Sequence, residues 1–242
     1  DDVELVDYLP YILQDFTELG SSAASFTSIV KDNNNNDTAR ILDLGCGNGA
    51  VLMEMARQVK SICLGIDGIK EFIEHAGAEA RKRGLTQCRF QVGDIRNIGD
   101  IKGKFDFIIL GSIGPVFGDY YTTMETLKPI LDDDGIIVLD DGYIKEGIAF
   151  THALIGTKGA LIEQITRAGM EILKEYPGDE IRNKGEYEKQ LQDITKRCHE
   201  LMVAHPDKKE LFKNYLQKQE KEYRNLEEAI TSSTMLIKRK RA

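Results

Sequence analysis

Tryptophan is absent from this chain of 242 residues, aromatic residues make up 7% of it, and there are only four cysteines and five prolines. No stretch approaches the ~20 consecutive apolar residues that cross a bilayer, and the opening residues show no charged-then-apolar leader pattern. Cys46, Cys63, Cys88 and Cys198 form neither a CxxC pair nor a metal-ligand spacing. Reduced, buried thiols in a cytoplasmic protein are therefore expected, and no bound metal. Basic charge is also short, with 32 Lys and Arg against 40 Asp and Glu and a net charge of −8. Such a balance argues against a general nucleic-acid binder, which neutralises phosphates with a basic surface. The two basic runs, Arg81–Arg83 and Lys238–Arg241, are read as a helix end and the end of the chain. What remains is an ordinary globular composition, 41% apolar, with length enough for one α/β domain and an elaboration.

The most informative run is Ile41-Leu42-Asp43-Leu44-Gly45-Cys46-Gly47-Asn48-Gly49. Its apolar start suits a buried parallel strand, and the alternating glycines let the backbone turn sharply and come close to a ligand. Ala50–Ala56 has helix-forming composition, so the ligand sits where strand hands over to helix, as nucleotide-like cofactors do in open α/β sheets. Gly45-x-Gly47-x-x-Ala50 also fits the dinucleotide pattern, with Asp67 about 20 residues on as a ribose-binding acid. From these residues alone NAD stays open as the cofactor.

Strands and helices then alternate. Strands are predicted at 40–44, 62–66, 88–92, 105–110, 135–140 and 170–176, and helices near 48–59, 69–83, 119–130 and 157–168. Repeated βα units imply a parallel sheet covered on both faces. Asp132–Gly135 reads as a turn before the fifth strand, Asp106 as an edge or loop-facing acid, and Asp32–Asp37 as a polar loop. Residues 3–19 carry helical apolar spacing around Pro10, a helix or helix pair within a cap over 1–30. Between 180 and 229 two apolar stripes separated by His205-Pro206 form a helical hairpin, and 231–239 is a last strand.

At this point the sequence resembles the class I S-adenosylmethionine (SAM)-dependent methyltransferases, over roughly residues 38–176 plus the last strand. Asp43, Gly45, Gly47 and Gly49 match the family's acid-x-Gly-x-Gly-x-Gly pattern, Asp67 its acid after strand two, and Gly93-Asp94-Ile95 its segment after strand three. Lys104–Ile109, Leu127–Leu131 and Ala168–Ile172 resemble the family in the same order. The resemblance implies one domain over 1–242: a doubly wound, seven-stranded, mostly parallel sheet whose last strand is antiparallel, helices on both faces, and the N-terminal helices and hairpin as additions. It implies SAM as methyl donor and S-adenosylhomocysteine (SAH) as product. Gly45, Cys46, Gly47, Asn48 and Gly49 then approach the cofactor, with Asp43 toward its ammonium group. Asp67 takes the ribose hydroxyls, Gly68 and Ile69 flank the adenine, Asp94 accepts from its amine, and Ile95 packs on the ring. Gly111 and Ser112 line the tail side.

No catalytic residue declares itself. Asp141, Tyr143 and His152 are the substrate-side candidates. Asp140-Asp141 is similar to the acid pair of divalent-metal O-methyltransferases, yet Gly111-Ser112 stands where those enzymes need another acid. His199 and His205 are read as surface or packing residues rather than bases. The expected acceptor is a small molecule, methylated at O, N or C, with the cap and hairpin covering its cleft; nucleic acid and membrane are not expected partners. A homodimer through the hairpin, a SAM- or nucleotide-binding module without turnover, and an NAD-dependent oxidoreductase are the alternatives.

Overall fold

The computed structural model describes residues 3–178 and 185–241. Seven strands, β1 (Ala39–Leu44), β2 (Ser61–Asp67), β3 (Cys88–Val92), β4 (Phe105–Gly111), β5 (Leu131–Ile144), β6 (Met170–Pro177) and β7 (Ile230–Arg239), form one sheet. Its order is β3-β2-β1-β4-β5-β7-β6, in which β7 runs antiparallel to both its neighbours. After β3 the chain crosses back to β4 beside β1, and the crevice at such a reversal is where open α/β sheets bind ligands.

Strand alternation divides the core. Leu42, Leu44, Ile108, Leu110, Ile137 and Leu139 point to one face, which α6 (Tyr120–Leu127) and α7 (Lys158–Arg167) cover with Met124, Leu127, Leu161 and Ile165. Ile41, Phe107, Ile109 and Val138 point to the other, under α3 (Ala23–Asn33), α4 (Ala50–Gln58) and α5 (Lys70–Lys82). A third core stands apart from the sheet. There α8 (Glu186–Ala204) and α9 (Lys209–Glu228) pack Ile194, Cys198, Leu201, Phe212 and Leu216 around Ile12 of α2 (Leu9–Ile12). The hairpin's apolar stripes are thus spent on the N-terminal helices; its expected first residues, 180–184, lie outside the described residues.

Several expectations need correction. The N-terminal helix pair shrinks to two single turns, α1 (Val3–Val6) and α2, and the main helix of that region is α3, capped by Ser22 accepting from the Ser25 amide. That helix continues through Asp32 and Asn33, where a loop was expected. Strand β5 is 14 residues long and includes Asp132–Asp134, expected as a turn, and Asp141–Ile144, beyond the predicted end at residue 140. Arg40, Lys104 and Arg241 pair with Asp132, Asp133 and Asp134 respectively, so opposite charge offsets the poor strand propensity of three acids. Asp106 is buried in the central strand β4, not loop-facing. Arg40 satisfies it through its backbone amide (2.7 Å) and its guanidinium (2.6 and 3.0 Å).

Candidate active site

The carboxyl ends of β1, β2, β4 and β5 converge at the crevice. Beyond β1, the amides of Gly45 and Cys46 both donate to the Ile66 carbonyl, at 2.8 and 3.1 Å. Gly47 donates to Asp67 Oδ2 (2.9 Å), Gly49 to the Cys46 carbonyl (2.9 Å), and Ala50 to Asn48 Oδ1 (3.3 Å). A dinucleotide's pyrophosphate needs amides pointing outward at this turn. Here those five are committed inside the protein, so the turn offers backbone surface rather than donors and suits a cofactor without phosphate. Gly45, Gly47 and Gly49 have φ of 79°, 51° and 78°, the left-handed region that favours glycine. A Cβ on Gly49 would stand 2.6 Å from the Phe90 ring, so this glycine serves packing of the turn onto β3.

Three carboxylates surround the turn. Asp43 is 3% exposed, and among the described residues no hydrogen bond reaches its side chain. Burial first, then the charge of Asp67, pushes its pKa up to about 8. Asp67 accepts from the amides of Gly47 and Ile69, one on each oxygen, which leaves lone pairs on both for two further donors such as vicinal hydroxyls. Gly68 beside it has no heavy atom within 4 Å of an added Cβ, an open cradle. Asp94 lies farther out and exposed, clasped by Arg96, whose hydrogen bonds hold its pKa down to about 2. Ile95 reaches back to within 4.0 Å of a Cβ on Gly45. A buried unpartnered acid, an acid with spare acceptors and a bare backbone turn fit the ammonium, ribose and adenosine parts of SAM.

Two expected residues do not face the crevice. The Cys46 thiol turns into the core against Gly65, where burial raises its pKa, and only its backbone belongs to the turn. Asn48 Nδ2 is spent on the carbonyls of Thr17 and Phe16. Gly111 closes β4 and Ser112 follows it with φ 55°. Ile113 follows Gly111-Ser112 on the expected tail side; three residues that sequence reasoning did not assign to the site are Leu19, Ser21 and Tyr120. A Cβ on Gly47 would be 2.7 Å from Leu19 Cδ1, and one on Gly45 2.5 Å from Ile113 Cγ2. The placement of residues 16–21 depends on partners far away in sequence, Asn48 on the carbonyls of Phe16 and Thr17 and Asp140 on Ser21, so a local pattern does not signal it.

At the end of β5, Asp140 accepts from Ser21 and Ser112, while Asp141 faces the other side of the sheet. Asp141 is half-buried and accepts from the Gly142 amide at 2.8 Å; desolvation raises its pKa, opposed first by that amide, then by Tyr120 and weakly by His152. Tyr120 donates to the Gly142 carbonyl at 2.9 Å. Tyr143 donates to Glu175, which Lys158 also holds. His152 sits exposed on the following loop, its Nδ1 accepting from the amides of Leu154 and Ile155.

A family model described as a methyltransferase domain matches residues 35–240. The chain belongs to the class I SAM-dependent methyltransferases. SAM is accordingly the cofactor, which decides the choice left open between SAM and NAD. Among solved structures, a SAM-dependent methyltransferase from Geobacter sulfurreducens in complex with SAH is similar over 97% of this chain and 98% of its own, with TM-score 0.79 and 17% identity. The aklanonic acid methyltransferase DauC of Streptomyces sp. is 35% identical over 111 residues, 45% of this chain and 50% of that protein. The nocamycin O-methyltransferase of Saccharothrix syringae is 26% identical over 172 residues, 57% of this chain and 61% of that protein. Other curated matches bear the names of RNA methyltransferases. The chain spans about half the length of the curated relatives it matches.

Proposed function

We propose that this methyltransferase acts on an oxygen, nitrogen or activated carbon of a small molecule, and that Asp141 takes the proton the acceptor must lose. SAM, when bound, supplies an activated methyl group on sulfonium and leaves as SAH. Alignment of the acceptor with that methyl, and exclusion of water, are the protein's share. On the cofactor side, Asp43 faces the ammonium, Asp67 the ribose, Gly68 and Ile69 the adenine with Ile95 on its face, and Gly111 and Ser112 the tail. Asp94 accepts from the adenine amine while keeping part of its clasp on Arg96. Gly45 and Gly47 provide the close backbone approach.

The observation that carries the acceptor side is Asp141, a half-buried carboxyl at the end of β5 whose pKa is raised by desolvation. A raised pKa makes its carboxylate a better proton acceptor near neutral pH. His152 is not the base on this reading. Its Nδ1 accepts two amides, so the neutral ring carries its proton on Nε2 and donates there. Tyr143 and His152 instead orient the acceptor at the rim. The named activities of the aklanonic acid and nocamycin methyltransferases, and this chain's net charge of −8, favour a small molecule over RNA. The hairpin and N-terminal helices serve as a cover, since their apolar stripes already face each other rather than a second subunit.

The test uses tritium-labelled SAM against panels of phenols, carboxylic acids, amines and purified ribosomal RNA. Label entering a small molecule, with Asp141→Asn slowing transfer most at low pH and leaving SAH affinity unchanged, is expected. Transfer to RNA alone overturns the acceptor class, transfer to none of the panel favours a binding module, and a wild-type pH profile in Asp141→Asn removes the base.

A further inference from the structure

Residues 16–21, between α2 and α3, lie across the ends of β1, β4 and β5, and neither cofactor nor acceptor assignment gives them a task. They are held at two points. At one, Asn48 Nδ2 donates to the carbonyls of Thr17 (3.1 Å) and Phe16 (3.5 Å), and Leu19 rests on the backbone of Gly47. At the other, the buried Ser21 hydroxyl donates to Asp140 Oδ2 at 2.6 Å, and the Ser112 hydroxyl lies 2.9 Å from the same oxygen. Gly20 presses so close that a Cβ there would stand 2.7 Å from Ser112 Cβ. Ser112 is itself the one non-glycine residue with positive φ among the described residues, a strained backbone of the kind found at ligand clamps and switches.

Leu19 therefore covers the backbone face that a cofactor in the glycine turn has to approach. Side chains and no backbone make this cover, Leu19 over Gly47 and Ile113 with Ile95 over Gly45, so rotation of the Leu19 and Ile113 side chains, with a shift of the segment that carries Leu19, opens it. Behind residues 16–18 a cavity of ≈ 540 Å³, lined by Phe16, Thr17, Asn48, Met53 and His75 among others, leaves room for the movement. The same segment is tied outward to the hairpin. Asp15 pairs with Arg197 through two bonds of 2.6 and 2.8 Å, Tyr11 donates to Glu200 at 2.7 Å, and Ile12 is buried in the hairpin's core.

We infer that Phe16–Ser21 is a strap that gates the cofactor's entry and exit, latched to the sheet by Ser21 on Asp140 and steadied from outside by Arg197 on Asp15. Resting on the SAM assignment, this gives the hairpin a role in cofactor exchange, separate from any contact with acceptor. Leu19 and Ile113 leave the glycine turn as the cofactor enters, and the latch re-forms across its tail end. Opening precedes both association and dissociation, so the latch sets both rates.

The absence of tryptophan makes the test direct, because Phe16→Trp places a single fluorescent reporter on the strap. Stopped-flow mixing with SAH, and chase with excess SAM, give association and dissociation rates. Ser21→Ala in this background is expected to raise both, dissociation by about tenfold, the scale of a hydrogen bond to a carboxylate. Arg197→Ala, remote from the cleft, is expected to raise both by about threefold. Thermal melts confirm that each variant is folded. Unchanged rates in both variants overturn the gate, and so does faster dissociation with unchanged association, which marks Ser21 as a plain ligand contact. If the reporter protein and the unaltered chain both fail to bind SAH, the cofactor assignment falls and the strap with it.

Discussion

With Asp43 against the ammonium group, as proposed, cofactor affinity is expected to depend on pH in a direction that can be worked out beforehand. With a pKa of about 8, the free protein holds this carboxyl protonated at pH 6 and largely so at pH 7. An ammonium group arriving beside it needs the carboxylate, so binding releases one proton. Deprotonation costs about 2.7 kcal/mol at pH 6 and about 1.4 kcal/mol at pH 7, at 1.36 kcal/mol per pH unit. The Kd for SAH is therefore expected to fall about tenfold between these pH values. Calorimetry in buffers of different ionisation enthalpy reads the affinity and the proton release together. Asp43→Asn should bind more weakly at pH 7.5, release no proton and show a flat profile. The same group acts on the free protein with the opposite sense. Its folded pKa lies above the unfolded carboxylate value of about 3.9, so stability falls as pH rises from there towards 8, and Asp43→Asn removes that slope. A pH-independent Kd with no proton release in the unaltered protein would refute the placement of the ammonium against Asp43.

Three further substitutions have expected outcomes. Asp67→Ala takes the acceptors from the Gly47 and Ile69 amides and from the ribose, so most of the thermal shift produced by SAH should disappear; an unchanged shift would exclude Asp67 from the site. Arg40→Ala leaves Asp106 buried with a single backbone donor and should cost about 1–3 kcal/mol in urea unfolding. Phe212→Ala empties the centre of the hairpin core, where the ring is fully buried and meets Tyr8 edge-on at 5.0 Å between centroids. It should cost about 3–5 kcal/mol locally, read as faster hydrogen exchange in α8 and α9 while the sheet keeps its protection.

The sheet from β1 to β4 was legible because β1, β2 and β4 are short, largely apolar runs closed by glycine or aspartate, while β3 alternates Arg89 and Gln91 with apolar residues and falls on the predicted residues 88–92. The overrun of β5 was hidden, since Asp132–Asp134 has turn chemistry and only the distant Arg40, Lys104 and Arg241 make it tolerable in a strand. Helix α3 had a usable signal, Ser22 followed by Phe26, Ile29 and Val30 at helical spacing, but its alanine- and serine-rich start masked the boundary. On the site, Asp43 and Asp67 stand where the motif put them. The side-chain directions of Cys46 and Asn48 were not legible, because a motif fixes the backbone path and leaves open which way each side chain turns.

Strand β7 has a consequence for how this chain reaches its fold. Ile136 pairs with Lys238 and Ile144 with Ile230, so each bridge closes a loop of roughly a hundred residues, costly in chain entropy. Those ten residues also supply Met235 and Ile237 to one core and Leu236 to the other. During synthesis β5 and β6 have no common partner until residues 230–239 emerge, and both present open edges meanwhile. Truncations that remove β7 should accumulate as aggregation-prone, half-formed sheets, and refolding should be limited by docking of this one strand.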